Sequence, residues 1–313
     1  MAQNAPLPAL PPRPADAHKA SVGRVLIVGG SRGMAGAPAL CARGALRAGA
    51  GLVTIGVPDA IADVVAGFLP EAMVLPLPCD DEGALDSSAD EAVLPFLERV
   101  DALVVGPGLG RSPRTEEAIL ALLRKAELPV VLDADGLYAL RGRVDDLASR
   151  KAVTVLTPHK GEATALIGAS DVTVVSNRES RARQLASLSH GICVLKGPGT
   201  LVHDGTRSYV NTTGNALLAT GGTGDVLAGV VAAFLAGLPA TGGDAFGAAS
   251  LAVHVHGAAA DLLRERRGDR GVLASEIADA LPEAIRARVE KPTTPGAGRR
   301  SRRRFESARS RWR

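Results

Sequence analysis

A chain of 313 residues, 46% of them hydrophobic, is long enough to bury the core of one large α/β domain or of two small ones. The formal net charge of +3 is unevenly distributed, because residues 291–313 contain nine Arg and Lys residues and one Glu. The rest of the chain therefore has a net charge of −5, so the basic character belongs to this end and not to the fold.

Composition divides the chain into three parts. The composition predicts a disordered leader rich in Pro and Ala at residues 1–17 and a single domain at residues 18–290. It also predicts a disordered Arg-rich tail at residues 291–313. The sequence shows no secretory signal, and its apolar run at 226–238 is too short to span a bilayer. We expect a cytoplasmic homo-oligomer with no membrane or specific nucleic-acid partner.

The cysteine content argues against disulfide bonds and against a zinc site. The three cysteines are far apart in the sequence, at Cys41, Cys79 and Cys193.

Short apolar runs alternate with helical patterns after residue 18. The first half predicts, in order, strand 25–28, helix 37–48, strand 52–55, strand 102–105, helix 115–123, strand 130–132 and strand 153–156. The second half predicts a helix ending near His190, strand 192–195, a hairpin of 201–203 and 208–210, and helices 225–237, 243–264 and 275–288. This alternation indicates a mostly parallel sheet whose ligand lies beyond the carboxyl ends of the strands.

The strongest local signal is the glycine turn Gly221-Gly222-Thr223-Gly224-Asp225, which opens an apolar helix. Its glycines leave backbone N–H groups accessible, and the helix N-terminus adds partial positive charge, so the turn suits a phosphoryl group. Asp225 is a candidate catalytic base for a substrate hydroxyl. The alternative is that Asp225 only caps the helix.

A second glycine-rich segment, Lys196-Gly197-Pro198-Gly199-Thr200, follows a buried strand. Lys196 can bind phosphate oxygens as a point charge, although the segment is not a Walker A loop. The alternative is an ordinary turn with an exposed lysine. The loop 29–37 departs from the G-x-G-x-x-G spacing, which argues against a nicotinamide coenzyme bound in Rossmann fashion.

Polar residues follow two further predicted strands. Glu162 could hold Mg²⁺ through water and His159 could bind substrate, or the pair could form a capping arrangement with Thr157 as the cap. Asp133 and Asp135 could bind a hydrated metal or only shape a turn. His254 and His256 lie two apart in a helical pattern, and helix packing accounts for them better than a site does.

Taken in order, these motifs make the chain similar to the ADP-dependent NAD(P)H-hydrate dehydratase family. The resemblance covers roughly residues 18–281 and implies a ribokinase-like fold, a three-layer α/β/α sandwich with a mostly parallel central sheet. It rests on His18-Lys19, Gly29–Ala37, Arg47–Val53, Gly106–Gly110, Asp133–Asp135, Thr157–Glu162, Lys196–Thr200 and Gly221–Asp225. Family members are often fused to an epimerase domain, for which this chain has no room, and the Arg-rich tail is not part of the family pattern.

The resemblance also implies functional roles. The residues expected to contact an adenine nucleotide are Lys196, Gly197, Pro198, Gly199, Thr200 and Gly224, joined by Gly221, Gly222 and Thr223 of the same turn. The residues expected to contact the substrate, hydrated NADH or NADPH, are Ala37, Gly108, His159 and Asp225. The implied reaction uses Mg²⁺ and ADP, with ATP as the alternative donor, to phosphorylate the ring hydroxyl of hydrated NADH or NADPH before eliminating phosphate.

Two alternatives stay open at this stage. A small-molecule kinase on the same fold, for a pyrimidine or thiazole precursor of thiamine, would keep its phosphorylated product. His159 stands where vitamin kinases of this fold usually have asparagine, which favours the dehydratase. A nucleotide-binding regulator that grips an acidic partner with its tail would not need the intact Asp225.

Overall fold

The structure of the protein is a computed structural model, and it describes residues 5–8, 10, 13–168 and 177–289. The predicted tail 291–313 lies outside these described residues. The strands of the described chain are β1 Arg24–Val28, β2 Leu52–Pro58, β3 Met73–Leu77, β4 Ala102–Val105, β5 Val130–Leu132, β6 Thr154–Leu156, β7 Ile192–Leu195, β8 Leu201–His203 and β9 Ser208–Val210.

The described strands form one sheet in the order β3-β2-β1-β4-β5-β6-β7-β8-β9. Neighbours from β3 to β7 are parallel, and only β8 and β9 pair antiparallel. The first strand, β1, lies inside the sheet, and β2 and β3 follow it outward to one edge. The chain then returns, and β4 lies on the other side of β1. Such a reversal leaves a crevice between the loops that follow β1 and β4, where ligands bind in open α/β sheets.

Helices cover both faces of the sheet. They are α1 Gly36–Ala48, α2 Ala62–Phe68, α3 Ala89–Leu97, α4 Pro113–Lys125, α5 Asp135–Tyr138, α6 Lys160–Ile167, α7 Arg178–Ser189, α8 Thr223–Ala236, α9 Leu238–Thr241, α10 Ala245–Arg267 and α11 Ala274–Arg286. Because strand side chains alternate between faces, Val25 and Ile27 pack with α1, α8, α10 and α11, while Leu26 and Val28 pack with α3, α4, α6 and α7. The predicted three-layer α/β/α sandwich is confirmed.

The predicted strands and the long helices are confirmed, with shifts of a few residues at their ends. The elements that were not predicted include α2, β3 and α3 and the short helices α5 and α9. Strand β3 lies at the edge of the sheet, where Met73 is 51% exposed and Pro76 is tolerated, so it lacks the continuous apolar run of the inner strands.

Helices α1 and α8 approach each other closely through two glycines. A Cβ atom at Gly44 would lie 2.4 Å from the carbonyl oxygen of Val226, and one at Gly229 would lie 1.9 Å from that of Cys41. Side chains at these positions would force the helices apart. The two glycines therefore set the distance between α1 and α8, and with it the position of the glycine turn at the start of α8.

We expect Gly229→Ala to lower the free energy of unfolding by about 1–3 kcal/mol, because the added methyl group overpacks the contact with α1. Urea denaturation monitored by circular dichroism measures the change. Gly67→Ala in α2 is the matched control, since a Cβ there meets no atom within 4 Å. The control should be stabilised by up to about 1 kcal/mol through helix propensity. A Gly229→Ala protein as stable as the wild type would contradict this account of the contact.

The described part of the predicted leader lies against the body of the protein. The Ala5 N–H donates to the Ser208 carbonyl oxygen (2.9 Å), and Leu10 forms an isolated β-bridge with Val289. Ala5, Leu10 and Val289 help to line a cavity of about 750 Å³ at the C-terminal end of α8. The glycine turn is at the opposite end of this helix, so the cavity is separate from the candidate site.

Helix α10 is the one helix of the described chain long and apolar enough, by length and composition alone, to cross a membrane. However, 72% of its apolar window is buried inside the protein. A core helix passes the same test of length and composition.

Candidate functional site

Helix α8 begins directly at the glycine turn. Gly222 is its N-cap, with a φ of +91°, and has no side chain to cap the helix. The Thr223 hydroxyl donates to the carbonyl oxygens of Leu218 (2.8 Å) and Thr220 (2.9 Å), which fixes the turn. The start of α8 thus presents backbone N–H groups without a capping side chain, as an anion site requires. Asp225 is the third helical residue, so the alternative that it is the N-cap is wrong.

A buried ion pair lies beside this turn. Lys196, just after β7, places its Nζ 2.7 Å from Oδ1 of Asp133, just after β5, and 3.8 Å from Oε2 of Glu162. A Cβ atom at Gly224 would lie 3.4 Å from the same Nζ. The lysine predicted from sequence therefore meets the glycine turn, and Asp133 serves it as a counter-ion. The Thr157 hydroxyl donates to the same Oδ1 (2.7 Å).

The charges of this cluster act on one another. Burial works to lower the pKa of Lys196, but the carboxylates of Asp133 and Glu162 outweigh it, and the pKa is raised. The pKa of Asp225 is raised from its usual 3.8 to about 7, chiefly by burial; the carboxylates of Asp133 and Asp135 contribute to the rise, and Lys196 opposes it. Near neutral pH the Asp225 carboxyl can therefore accept or release a proton.

His159 and Glu162 form a capping box at the start of α6. His159 Nδ1 accepts from the N–H groups of Gly161 (2.9 Å) and Glu162 (3.2 Å), while Glu162 Oε2 accepts from the His159 N–H (2.7 Å). The predicted capping arrangement exists, but its cap is His159 and not Thr157. The His159 side chain is 60% exposed, so its ring edge is accessible to a ligand.

The loops after β1 and β4 meet at the crevice between these strands. The Ser31 hydroxyl donates to the Gly108 carbonyl oxygen (2.9 Å). Gly108 has a φ of +68°, and a Cβ there would lie 3.0 Å from Cβ of Ala37 and 2.9 Å from the Met34 carbonyl oxygen. Any side chain at position 108 would therefore collide with the first loop. Ala37 and Gly108, far apart in sequence, are neighbours.

The segment Lys196–Thr200 is held by a residue that the sequence did not indicate. Arg178 donates through Nη2 to the Leu195 carbonyl oxygen (3.1 Å) and through Nη1 to that of Pro198. The Thr200 hydroxyl donates to the Gly197 carbonyl oxygen (3.0 Å), and Gly197 and Gly199 both have positive φ. Glycine is required here because other residues rarely adopt such backbone angles.

A family model described as NAD(P)H-hydrate dehydratase matches residues 25–283, which is most of the chain. The chain belongs to this family. It is 40% identical over 295 residues to the bifunctional NAD(P)H-hydrate repair enzyme Nnr of Moorella thermoacetica, covering 93% of this chain and 55% of that enzyme. The Nnr enzyme of Salinibacter ruber is 41% identical, with 93% and 52% covered. The chain thus spans about half the length of the curated relatives it matches.

Solved structures agree with this assignment. The ADP/ATP-dependent NAD(P)H-hydrate dehydratase from Bacillus subtilis, co-crystallized with ATP/Mg²⁺, superposes with a TM-score of 0.75 at 31% identity, covering 89% of this chain and 94% of that one. A ribokinase-like superfamily protein from Enterococcus faecalis superposes with a TM-score of 0.74 at 26% identity, covering 90% and 93%. The predicted family and the ribokinase-like fold are confirmed.

In this dehydratase-family chain, α10 supports the loop that precedes the glycine turn. Asp261 accepts from the Gly214 N–H and from Asn215 Nδ2, both at 2.8 Å. A Cβ at Gly257 would lie 2.4 Å from the Thr213 hydroxyl oxygen, so only glycine permits this approach. Buried His256 lies close to the Thr223 backbone, and burial lowers its pKa to about 4. His256 therefore packs as predicted, but against the turn itself.

The described residues contain no group of three or more His, Cys, Asp or Glu side chains placed to hold a metal ion. Mg²⁺ at a nucleotide site usually needs only one or two carboxylates, because phosphate oxygens and water complete its shell. Glu162 meets that requirement, because its carboxylate is partly exposed beside the lysine that adjoins the turn.

Asp133 and Asp135 differ in their contacts, which the sequence left open. Asp133 pairs with Lys196, whereas Asp135 accepts from the Gly110 N–H and from Arg111 Nε, both at 2.9 Å. Asp135 therefore connects the loop after β4 to the carboxylates of Asp133 and Asp225. No motif signalled Arg111 or Asp261, because each contributes through a contact that is distant in sequence.

We expect Asp225→Asn to raise the melting temperature at pH 8 and to change it little at pH 4. The folded-state pKa of Asp225 is about 7, above its usual 3.8, so the folded protein disfavours the ionised form. The destabilisation grows as pH rises from about 3.8 and is complete above about 7. Scanning calorimetry of both proteins across this range measures it. An effect that is the same at both pH values would contradict the raised pKa.

Proposed function

We infer that this chain dehydrates the S epimer of hydrated NADH and NADPH, using ADP as phosphoryl donor and releasing AMP and phosphate. The observation that carries the proposal is Asp225, with a pKa of about 7, beside the glycine turn and the pair of Lys196 with Asp133. Family membership supports the substrate class, and the adenine nucleotide bound by the Bacillus relative supports the donor. We place this activity in the cytoplasm.

The chemistry begins at the ring hydroxyl on carbon 6, because hydroxide is a poor leaving group. As this oxygen attacks the terminal phosphorus of ADP, Asp225 accepts its proton. The bond from that phosphorus to the bridging oxygen breaks, and AMP leaves. The ring nitrogen lone pair then expels phosphate from carbon 6, and loss of a proton from carbon 5 restores the dihydropyridine ring.

The proposed nucleotide residues surround the position of the transferring group. The N–H groups at the start of α8 and the Lys196 ammonium stabilise the charge that develops on the phosphoryl oxygens. Gly197–Thr200 and Gly221–Gly224 supply backbone that a nucleotide can approach closely. Mg²⁺, when bound, would be held by phosphate oxygens and by water on Glu162, and would neutralise phosphate charge.

The hydrated cofactor is proposed to occupy the crevice between β1 and β4. Ala37 and Gly108 form its floor because neither carries a side chain long enough to fill it. The exposed edge of the His159 imidazole, in the loop after β6, would contact the nicotinamide ring. In this proposal the acceptor hydroxyl lies beside Asp225 and the donor lies beside Lys196.

A direct test is restoration of absorbance at the reduced-nicotinamide wavelength when protein, Mg²⁺ and ADP are added to hydrated NADH. Asp225→Asn should lower kcat by at least about 100-fold, because it removes the general base. Calorimetric titration should show ADP binding nearly unchanged in this variant. Flat absorbance with wild-type protein, together with phosphorylation of a thiamine precursor, would favour the kinase instead.

The pH profile provides an independent test of Asp225. We expect kcat/KM to rise with pH around a midpoint near 7, since the free enzyme must have this carboxyl ionised. Asp133→Asn should move the midpoint down by roughly one pH unit, because the Asp133 charge raises the pKa of Asp225. Asp279→Asn, in a surface ion pair with Arg43, is the matched control. An unmoved midpoint in Asp133→Asn would rule out this coupling.

A further inference from the structure

Arg111 follows the loop Gly106–Gly110 and is held in place by Asp135. Its Nε donates to Oδ1 of that carboxylate (2.9 Å), and the Gly110 N–H donates to Oδ2 (2.9 Å). The Asp135 side chain is only 10% exposed, whereas that of Arg111 is 59% exposed. One buried carboxylate therefore fixes both the end of the loop and the guanidinium that follows it.

The Arg111 guanidinium is also stacked. Its central carbon lies 4.2 Å from the centroid of the Tyr138 ring, and that of Arg141 lies 3.9 Å from the same centroid. Arg141 has its own anion, because its Nη1 donates to Glu116 (3.0 Å). Stacking restricts the plane of the Arg111 group, so little conformational freedom remains to be lost when it binds a ligand.

Arg111 keeps its terminal nitrogens available. Among the contacts of the described residues, its hydrogen bond uses Nε only. Two Nη atoms on a planar, oriented group suit the paired oxygens of a phosphate. The pair with Asp135 does not remove this capacity, since a guanidinium carries five N–H donors.

The position of this group is on the proposed substrate side of the site. Arg111 is three residues from Gly108, and its carboxylate partner Asp135 contributes to the raised pKa of Asp225. Lys196, in contrast, lies at the glycine turn with the proposed donor. Ala37 and Gly108 bring no charge, although a hydrated dinucleotide carries a pyrophosphate and, in NADPH, a further phosphate on the ribose.

We propose that Arg111 binds a phosphate group of the hydrated dinucleotide, held ready by Asp135 and Tyr138. The inference rests on the proposed function, because it presumes that the crevice between β1 and β4 takes this substrate. It assigns to Arg111 a binding role and no part in proton or phosphoryl transfer.

The test is steady-state kinetics of Arg111→Ala at pH 8.5, where Asp225 is ionised in both proteins. We expect KM for the hydrated dinucleotide to rise about 10- to 100-fold, as loss of a charge-assisted contact implies. The kcat should stay within about twofold, and KM for ADP should not change. Arg111→Lys, which keeps the charge without the planar fork, should fall between wild type and Arg111→Ala.

Arg114→Ala is the matched control, since Arg114 is three residues away, 63% exposed and likewise paired with an aspartate. It should leave KM for the hydrated dinucleotide unchanged. Melting temperatures of all variants check that they fold. Equal losses with hydrated NADH and hydrated NADPH would place the contact at the pyrophosphate, and a loss with NADPH hydrate alone at the ribose phosphate.

An unchanged KM for both hydrates in folded Arg111→Ala protein would overturn the proposal, as would a rise confined to ADP. Failure of the proposed function is distinguishable, because it would appear as an inactive wild-type protein. In that event equilibrium binding of NADP⁺ decides the matter for Arg111. The Kd should rise by the same factor in Arg111→Ala, and an unchanged Kd would overturn the proposal.

Discussion

The close approach of α1 and α8 is the constraint on which the candidate site depends. Because Gly44 and Gly229 lack side chains, backbone carbonyls of one helix reach the other helix directly. This contact fixes the position of α8 relative to α1 within one helical layer. It therefore determines where the first turn of α8 lies. Lys196 and Asp133 reach that turn from the ends of two parallel strands. A shift of α8 by the width of one methyl group would separate the helix start from its lysine.

Electrostatics gives the site its chemical character. Asp133, Glu162 and Asp225 gather around a single lysine, so carboxylates are in excess before any ligand arrives. Burial and mutual repulsion make the ionised form of Asp225 costly, which is why its pKa rises. A site of this kind favours cations and disfavours free anions. Binding of a nucleotide together with Mg²⁺ would satisfy the carboxylates and the phosphates at once, whereas a bare polyphosphate would add to the repulsion.

Much of this arrangement was predictable from sequence. The inner strands are continuous apolar runs because both of their faces are buried, and the glycine turn precedes an unmistakably apolar helix. Edge strand β3 was not predicted because it is partly exposed and therefore lacks a continuous apolar run. His159 was predicted as part of a capping pair, but the cap itself was assigned to Thr157, whose hydroxyl serves Asp133 instead. Arg111, Arg178 and Asp261 were missed because their partners lie far away along the chain, and the sequence around a single residue does not indicate such contacts.

The strand order has a consequence for how such a protein can change. The loops around Ala37 and Gly108 come from the first half of the chain, while Lys196–Thr200 and the glycine turn come from the second. In the proposed function the loops of the first half contact only the acceptor, whereas the second half supplies the donor residues together with His159 and Asp225. Mutations could remodel one half for a new acceptor while the other keeps the same phosphoryl donor. Change confined to the loops after β1 and β4 is therefore the expected evolutionary route to a new acceptor in this fold.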